Sequence, residues 1–253
     1  MNIVVFDTET TSIEKPFCYN IGYTIADIES GTILVRRDYV VEQVWRNYML
    51  FTTSYYADKR QLYVSRMKGK KCVMEKFGYI CQQMIRDFKA YEIELAFAFN
   101  SPFDDKVFDY NCEWFKCNNP FDNIEIRDIR GFVHTFMAFS KDYQDFCDKH
   151  QLYTESGNYS TTAETVYRYL INSVDFNEEH TALADSLIEF DILKTCVHDY
   201  GADITKQYKT YSSIPRKTPK ELKVIDTDGN EHIFSYIKRR NYQDGNKIIL
   251  KNS

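Results

Sequence analysis

The segment Ile3-Val4-Val5-Phe6-Asp7-Thr8-Glu9-Thr10 runs an unbroken apolar stretch into two carboxylates. A continuous apolar run this short is the pattern of a strand buried on both faces. Side chains alternate along a strand, so Asp7 and Glu9 fall on one side of it. No basic residue adjoins either acid in the sequence. Two carboxylates gathered at the end of a buried strand repel each other unless a cation lies between them. An all-oxygen ligand set suits a hard divalent ion such as magnesium or manganese.

Two later stretches supply groups that would complete such a site. Ile93 to Phe99 reads as a short apolar strand, followed by Asn100-Ser101-Pro102-Phe103-Asp104-Asp105 at a helix start. Asp104 also suits the first turn of a helix, where the dipole favours an acid. Its neighbour Asp105 is the nearest rival. His180-Thr181-Ala182-Leu183-Ala184-Asp185 opens a helix expected to run to about Tyr200, with Ala184, Leu187, Ile188 and Ile192 as its apolar stripe and Asp185 at the edge. Asp128, ending another apolar strand, is expected to orient a neighbour. His134, His150, His198 and His232 have no partner motif and take structural roles.

The elements that must position these residues follow from periodicity and turn signals. Tyr19 to Ile28 and Thr32 to Val41 flank Ser30-Gly31 and read as an antiparallel hairpin. Cys72 to Ala90 has an apolar face at helical spacing (Val73, Phe77, Ile80, Cys81, Met84, Ile85, Phe88). Val107 to Phe115 continues the helix begun near Asp104, Ile124 to Ile129 is a strand, and Phe132 to His150 a helix. Thr161 or Thr162 is placed to cap a further helix through Ile171. The order of elements gives an α/β fold with a mixed central sheet flanked by helices.

Residues 42 to 71 are dense in large side chains and end in the basic run Lys68-Gly69-Lys70-Lys71. They read as irregular helices over the sheet edge, either an ordinary lid or a surface that grips a nucleic-acid strand. After a linker with two prolines, residues 213 to 253 hold nine Lys or Arg and five Asp or Glu, whereas residues 1 to 212 hold 23 and 32. Leu222 to Ile225 and His232 to Tyr236 flank the turn signal Asp228-Gly229-Asn230. Lys247 to Lys251 would add a strand. The expected organisation is a body of residues 1–211 with the insert, then a linker and small basic β-hairpin appendage over 212–253.

A hydrophobic fraction of 43% and an aromatic fraction of 16% describe a folded chain. The net charge of −5 argues against coating nucleic acid by bulk charge, but not against an enzyme that grips a strand end. The seven cysteines form no C-x-x-C pair and read as free thiols in a reducing compartment. No apolar run approaches a membrane span, so a cytoplasmic protein is expected.

Taken together, the motifs resemble the DEDDh exonucleases, the DnaQ-like group. That family's strand followed by D-x-E-T-T-G stands here as Phe6-Asp7-Thr8-Glu9-Thr10-Thr11-Ser12, with Ser12 in place of glycine. Its N-x-x-F-D is Asn100-Ser101-Pro102-Phe103-Asp104, and its H-x-A-x-x-D is His180-Thr181-Ala182-Leu183-Ala184-Asp185. The resemblance covers about residues 1 to 205 and implies a ribonuclease H-like fold with hydrolysis from the 3′ end of DNA or RNA. It implies that Asp7, Glu9, Asp104 and Asp185 hold two Mg2+ or Mn2+ ions about 4 Å apart. His180 would act as general base, its pKa raised by Glu178 and Glu179. Thr10, Ile13, Asn100 and Phe103 would contact or support the substrate. Single-stranded 3′ ends are the implied partner, and a homodimer or association with a DNA polymerase fits the family. The rival reading is a catalytically silent nucleic-acid-binding or replication-complex module on the same fold.

Overall fold

In the computed structural model, which describes residues 1–54, 56–216, 220–225 and 231–236, β1 (Asn2–Thr10), β2 (Cys18–Asp27) and β3 (Thr32–Val41) pair antiparallel in succession. The insert then forms α1 (Glu42–Arg46), α2 (Tyr48–Phe51), a 3-10 turn (Ala57–Lys59) and α3 (Arg60–Lys68). β4 (Val73–Glu75) joins the outer edge of β3 in parallel and leads into α4 (Phe77–Ala90). β5 (Leu95–Ala98) lies parallel to β1, α5 (Ser101–Phe115) follows, and β6 (Glu125–Asp128) lies parallel to β5. α6 (Ile129–Val133), α7 (Lys141–His150), α8 (Ala163–Leu170) and α9 (Ala182–His198) complete the body. The six-stranded mixed sheet has the order β4-β3-β2-β1-β5-β6, and β7 (Lys220–Ile225) pairs antiparallel with β8 (Glu231–Tyr236) in a two-stranded sheet.

β1 is central, and Ile3, Val4, Val5 and Phe6 are fully buried. Each such side chain contributes about 2 kcal/mol by leaving water. Val4 and Phe6 enter the core shared with Phe77, Met84 and Phe108 of α4 and α5, while Ile3 and Val5 enter the opposite core with Phe132, Ile192 and Leu193 of α6 and α9. The same alternation puts Asp7 and Glu9 on the α9 side and Thr8 on the α5 side.

Three expectations about helices are corrected. The helix expected from Cys72 starts at Phe77, because Val73–Glu75 finds the open edge of β3 and pairs there. The helix expected over 132–150 is broken. α6 passes into a wide turn of π type at His134–Ala138, and the Ser140 hydroxyl then caps α7 by accepting the Tyr143 N–H at 3.2 Å. His180 lies outside α9, in a left-handed conformation with φ 49°. In the insert, Trp45, Phe51 and Tyr63 are buried around Tyr19 instead of facing a ligand, while Lys68 to Lys71 stay exposed. The strands expected on either side of Asp228-Gly229-Asn230 form β7 and β8; that turn and the strand expected at 247–251 lie outside the described residues. All seven cysteines are free. Among the described residues no helix is long and apolar enough to cross a membrane.

Candidate active site

The site forms where β1 ends, and α9 completes it by docking on β2. Glu9, Asp7 and Val5 of β1 pair with Asn20, Gly22 and Thr24 of β2, so all six share the α9 face. α9 meets each of the three β2 residues. The Asn20 Oδ1 accepts the Ala182 N–H at 2.8 Å, and the Thr24 and Ser186 hydroxyls lie 3.1 Å apart. At Gly22 the helix backbone comes so close that a Cβ would lie 2.0 Å from the Leu183 nitrogen. This contact carries Asp185 to the end of β1. One carboxylate oxygen each from Asp7, Glu9 and Asp185 lies within 4.8 Å of the other two. The Tyr19 hydroxyl donates to Glu9 Oε2 at 3.4 Å, whereas the buried Asp185 Oδ1 has no hydrogen-bond partner.

Asp104 arrives from the other face of the sheet. The Thr8 hydroxyl donates to its Oδ1 at 2.6 Å, which ties α5 to β1. The turn before α5 places Asn100 at φ 66°, a conformation that Asn tolerates better than most residues. Asp128 fixes this turn, its Oδ1 accepting the N–H groups of Asn100 and Arg130, both at 2.9 Å, and its Oδ2 the Thr210 hydroxyl at 2.8 Å. Asp104 is 3% exposed, whereas Asp105 faces solvent, so the former is the acid turned to the site. Of the residues expected at substrate, Ile13 is 75% exposed and Phe103 is half-buried against the core. The Thr10 hydroxyl donates to the Ser12 carbonyl at 3.3 Å, inside its own turn.

Burial first, then the charges of Asp104 and Glu178 on Asp7 and of Asp7 on Glu9, pushes both acids well above the usual carboxylate range. Burial raises Asp104 to about 7 and, with the Asp7 charge, Asp185 to about 10. Glu189, one turn beyond Asp185 on α9, is a further carboxyl of this region that sequence reasoning missed. It is 3% exposed, accepts the Phe99 N–H at 3.2 Å, and burial pushes it up strongly. Its spacing of four from Asp185 was the available signal. An all-oxygen donor set, mutual repulsion and an unpartnered buried oxygen together fit divalent cations.

His180 stands beside the acids on the loop before α9. Its Nδ1 lies 3.5 Å from Glu178 Oε2, and atoms of Glu178, His180 and Asp185 fall within 4.8 Å of one another. Its pKa is lowered, first by burial and then by the Lys59 charge, opposite to the rise expected from its acidic neighbours. Glu178 is itself raised to about 7, first by burial and then by the Glu164 charge.

The insert grips this loop. The Lys59 ammonium donates to the Glu179 carbonyl at 2.6 Å, and Arg66 pairs with the Glu179 carboxylate and with Asp38. The Tyr56 ring stacks on the His180 ring, centroids 4.8 Å apart. The Tyr63 hydroxyl donates at 3.0 Å to the same Asn20 oxygen that holds Ala182.

No protein-family model and no curated protein sequence matches the chain. Solved structures match it at the level of fold. E. coli Exonuclease I in complex with a dA16 oligonucleotide aligns at TM-score 0.50 and 12% identity, covering 78% of this chain and 41% of that one, so this chain spans well under half of Exonuclease I. The nuclease domain of 3′hExo, a DEDDh family member bound to rAMP, aligns at TM-score 0.52 and 13% identity, covering 78% of this chain and 92% of that one. A 3′-exonuclease described in specific recognition of the histone mRNA stem-loop aligns at 0.53 and 12%, with coverage of 78% and 82%. The mixed six-stranded sheet with its flanking helices has the ribonuclease H-like α/β fold seen in these DEDDh exonuclease structures.

Proposed function

We propose that the chain is a metal-dependent 3′–5′ exonuclease, which hydrolyses the last phosphodiester of a single-stranded DNA or RNA end and releases nucleoside 5′-monophosphates. The observation that carries this reading is the set of half-buried Asp7 with buried Glu9 and Asp185, one of its oxygens unpartnered, beside a half-buried histidine in a nuclease fold. Asp7, Glu9, Asp104 and Asp185 would hold two Mg2+ or Mn2+ ions. When bound, such ions neutralise charge gathering on the phosphate and make water easier to deprotonate.

The protein's own residues supply position and proton transfer. Asp128 and Thr8 fix Asp104, and Gly22 and Asn20 fix the start of α9. His180, with its pKa below the usual value, is a neutral base at pH 7. It takes one proton from the attacking water as the new O–P bond forms. The P–O3′ bond breaks, and the departing 3′ oxygen takes a proton from solvent. Residues 1–211 would carry this chemistry, with 212–253 as an appendage.

The test is 3′-end degradation of labelled single-stranded DNA and RNA in parallel, with Mg2+ or Mn2+, beside Asp7→Ala and His180→Ala. The wild type shortens at least one polymer, and each variant loses about 100-fold or more. A wild type inert on both polymers with either metal contradicts the proposal and leaves a binding module on the same fold.

A further inference from the structure

The insert places one cation among the site's carboxylates without pairing it to any of them. Lys59 makes no ion pair among the described residues; its ammonium donates to the Glu179 carbonyl and lies 4.4 Å over the Tyr56 ring. Its charge acts on Glu9, Asp185, Glu178 and His180. An ammonium carries three N–H donors. With one on a neutral carbonyl, two remain for an anion.

Holding the loop does not require Lys59. Arg66 already binds the Glu179 side chain and is anchored to the buried Asp38 at 2.7 Å. Tyr63, one turn earlier on α3, is fully buried and bonded to Asn20. α3 is thus fixed independently, and the 3-10 turn that carries Lys59 leads directly into it. A residue that merely neutralised the acids would form an ion pair with one of them. A residue held back on a carbonyl, at the rim of the site and beside the base, is placed to meet a phosphate.

We propose that Lys59 is a substrate-contacting residue of this site, donating to a non-bridging oxygen of the terminal phosphate, so that the insert is part of the active site. The proposal rests on the exonuclease reading for the identity of the ligand and names its class: a 3′-terminal phosphodiester, and the nucleoside 5′-monophosphate left after cleavage. A fixed cation aimed at phosphate charge is worth most where that charge grows towards the transition state.

The experiment compares wild type, Lys59→Met and Lys59→Arg in three readouts: turnover of a single-stranded oligonucleotide, binding of a nucleoside 5′-monophosphate against the bare nucleoside by calorimetry with Mn2+, and melting temperature. Lys59→Met is expected to lower kcat/KM about 100-fold. It should weaken monophosphate binding about tenfold or more and leave nucleoside binding and melting temperature unchanged, while Lys59→Arg recovers part of the loss. The proposal is overturned if Lys59→Met turns over and binds monophosphate like wild type. It is equally overturned if monophosphate and nucleoside weaken together with a fall in melting temperature, which marks a loop-holding role. An inert wild type that still binds monophosphate through Lys59 would refute the exonuclease reading alone. A wild type that neither hydrolyses nor binds monophosphate would refute both.

Discussion

Gly22 pairs with Asp7 across β1 and β2, and a Cβ on Gly22 would fall 2.0 Å from the backbone nitrogen of Leu183. One missing side chain therefore lets α9 reach the strand end at which the acids gather. Gly22→Ala must push the start of α9 away, Asp185 with it. We expect a loss of about 2 kcal/mol or more in stability and of metal-dependent activity together. A chemical-denaturation curve and a turnover assay on the same preparation check this. Unchanged values for both would mean that the close approach does not position Asp185.

Metal-free protein should become less stable as pH rises. Asp104 and Glu178 are raised to about 7 and Asp185 to about 10, while carboxyls in the unfolded chain lose their protons near 4. Between these limits the folded state holds more protons than the unfolded state, so stability is fully present below the unfolded value and is lost as pH rises through the folded ones. Melting temperature in a chelator should be lower at about pH 8 than at about pH 5.5, relative to an Asp185→Asn variant. Mg2+ or Mn2+ should recover more at the higher pH, because binding displaces protons. A melting temperature independent of pH and metal would contradict the crowded-carboxylate account.

Asp185→Asn removes a buried carboxyl whose pKa is raised to about 10 and whose Oδ1 has no hydrogen bond, so it removes the cost of holding that proton above the unfolded value. Without metal this variant should melt above the wild type at about pH 8, while losing both hydrolysis and metal-induced stabilisation. Thermal melts with and without Mn2+ read both effects.

Thr8→Val deletes the 2.6 Å hydrogen bond to Asp104 at nearly constant volume. A hydrogen bond to an ionised group is worth about 2 kcal/mol. kcat/KM should fall about tenfold or more with little change in core packing, as kinetics and circular dichroism would show.

Asn20→Leu strips four hydrogen bonds at once: those to Asp38, the Tyr39 carbonyl, the Tyr63 hydroxyl and the Ala182 N–H. Leaving those buried partners unmatched should cost about 3 kcal/mol or more. Hydrogen exchange should show loosening at both α3 and the start of α9. Loosening at one alone would show that Asn20 does not join them.

How much of this was legible before the fold is a question of range. β1, the acids at its end and the histidine five residues before Asp185 are local patterns, and the chain order strand, motif, helix carries them. The pairing of Val73–Glu75 depends on a neighbour supplied by the fold, whereas the break at Ser140 is a local cap that the helical period masked. Asn20 and Ala182 are 162 residues apart, and Lys59 and Glu179 are 120 apart. No spacing rule joins such pairs. The aromatic residues of the insert read equally as lid or ligand surface until Trp45, Phe51 and Tyr63 are found buried and Tyr56 against His180.

The most direct test of the central claim is polarity. One single-stranded oligonucleotide, labelled at its 5′ end or its 3′ end, is incubated with Mg2+ or Mn2+ and, separately, with a chelator. The account predicts a descending ladder from the 5′-labelled strand, immediate release of labelled nucleoside 5′-monophosphate from the 3′-labelled strand, and neither in the chelator. Internal cuts, release from the 5′ end, or activity that survives the chelator would contradict it.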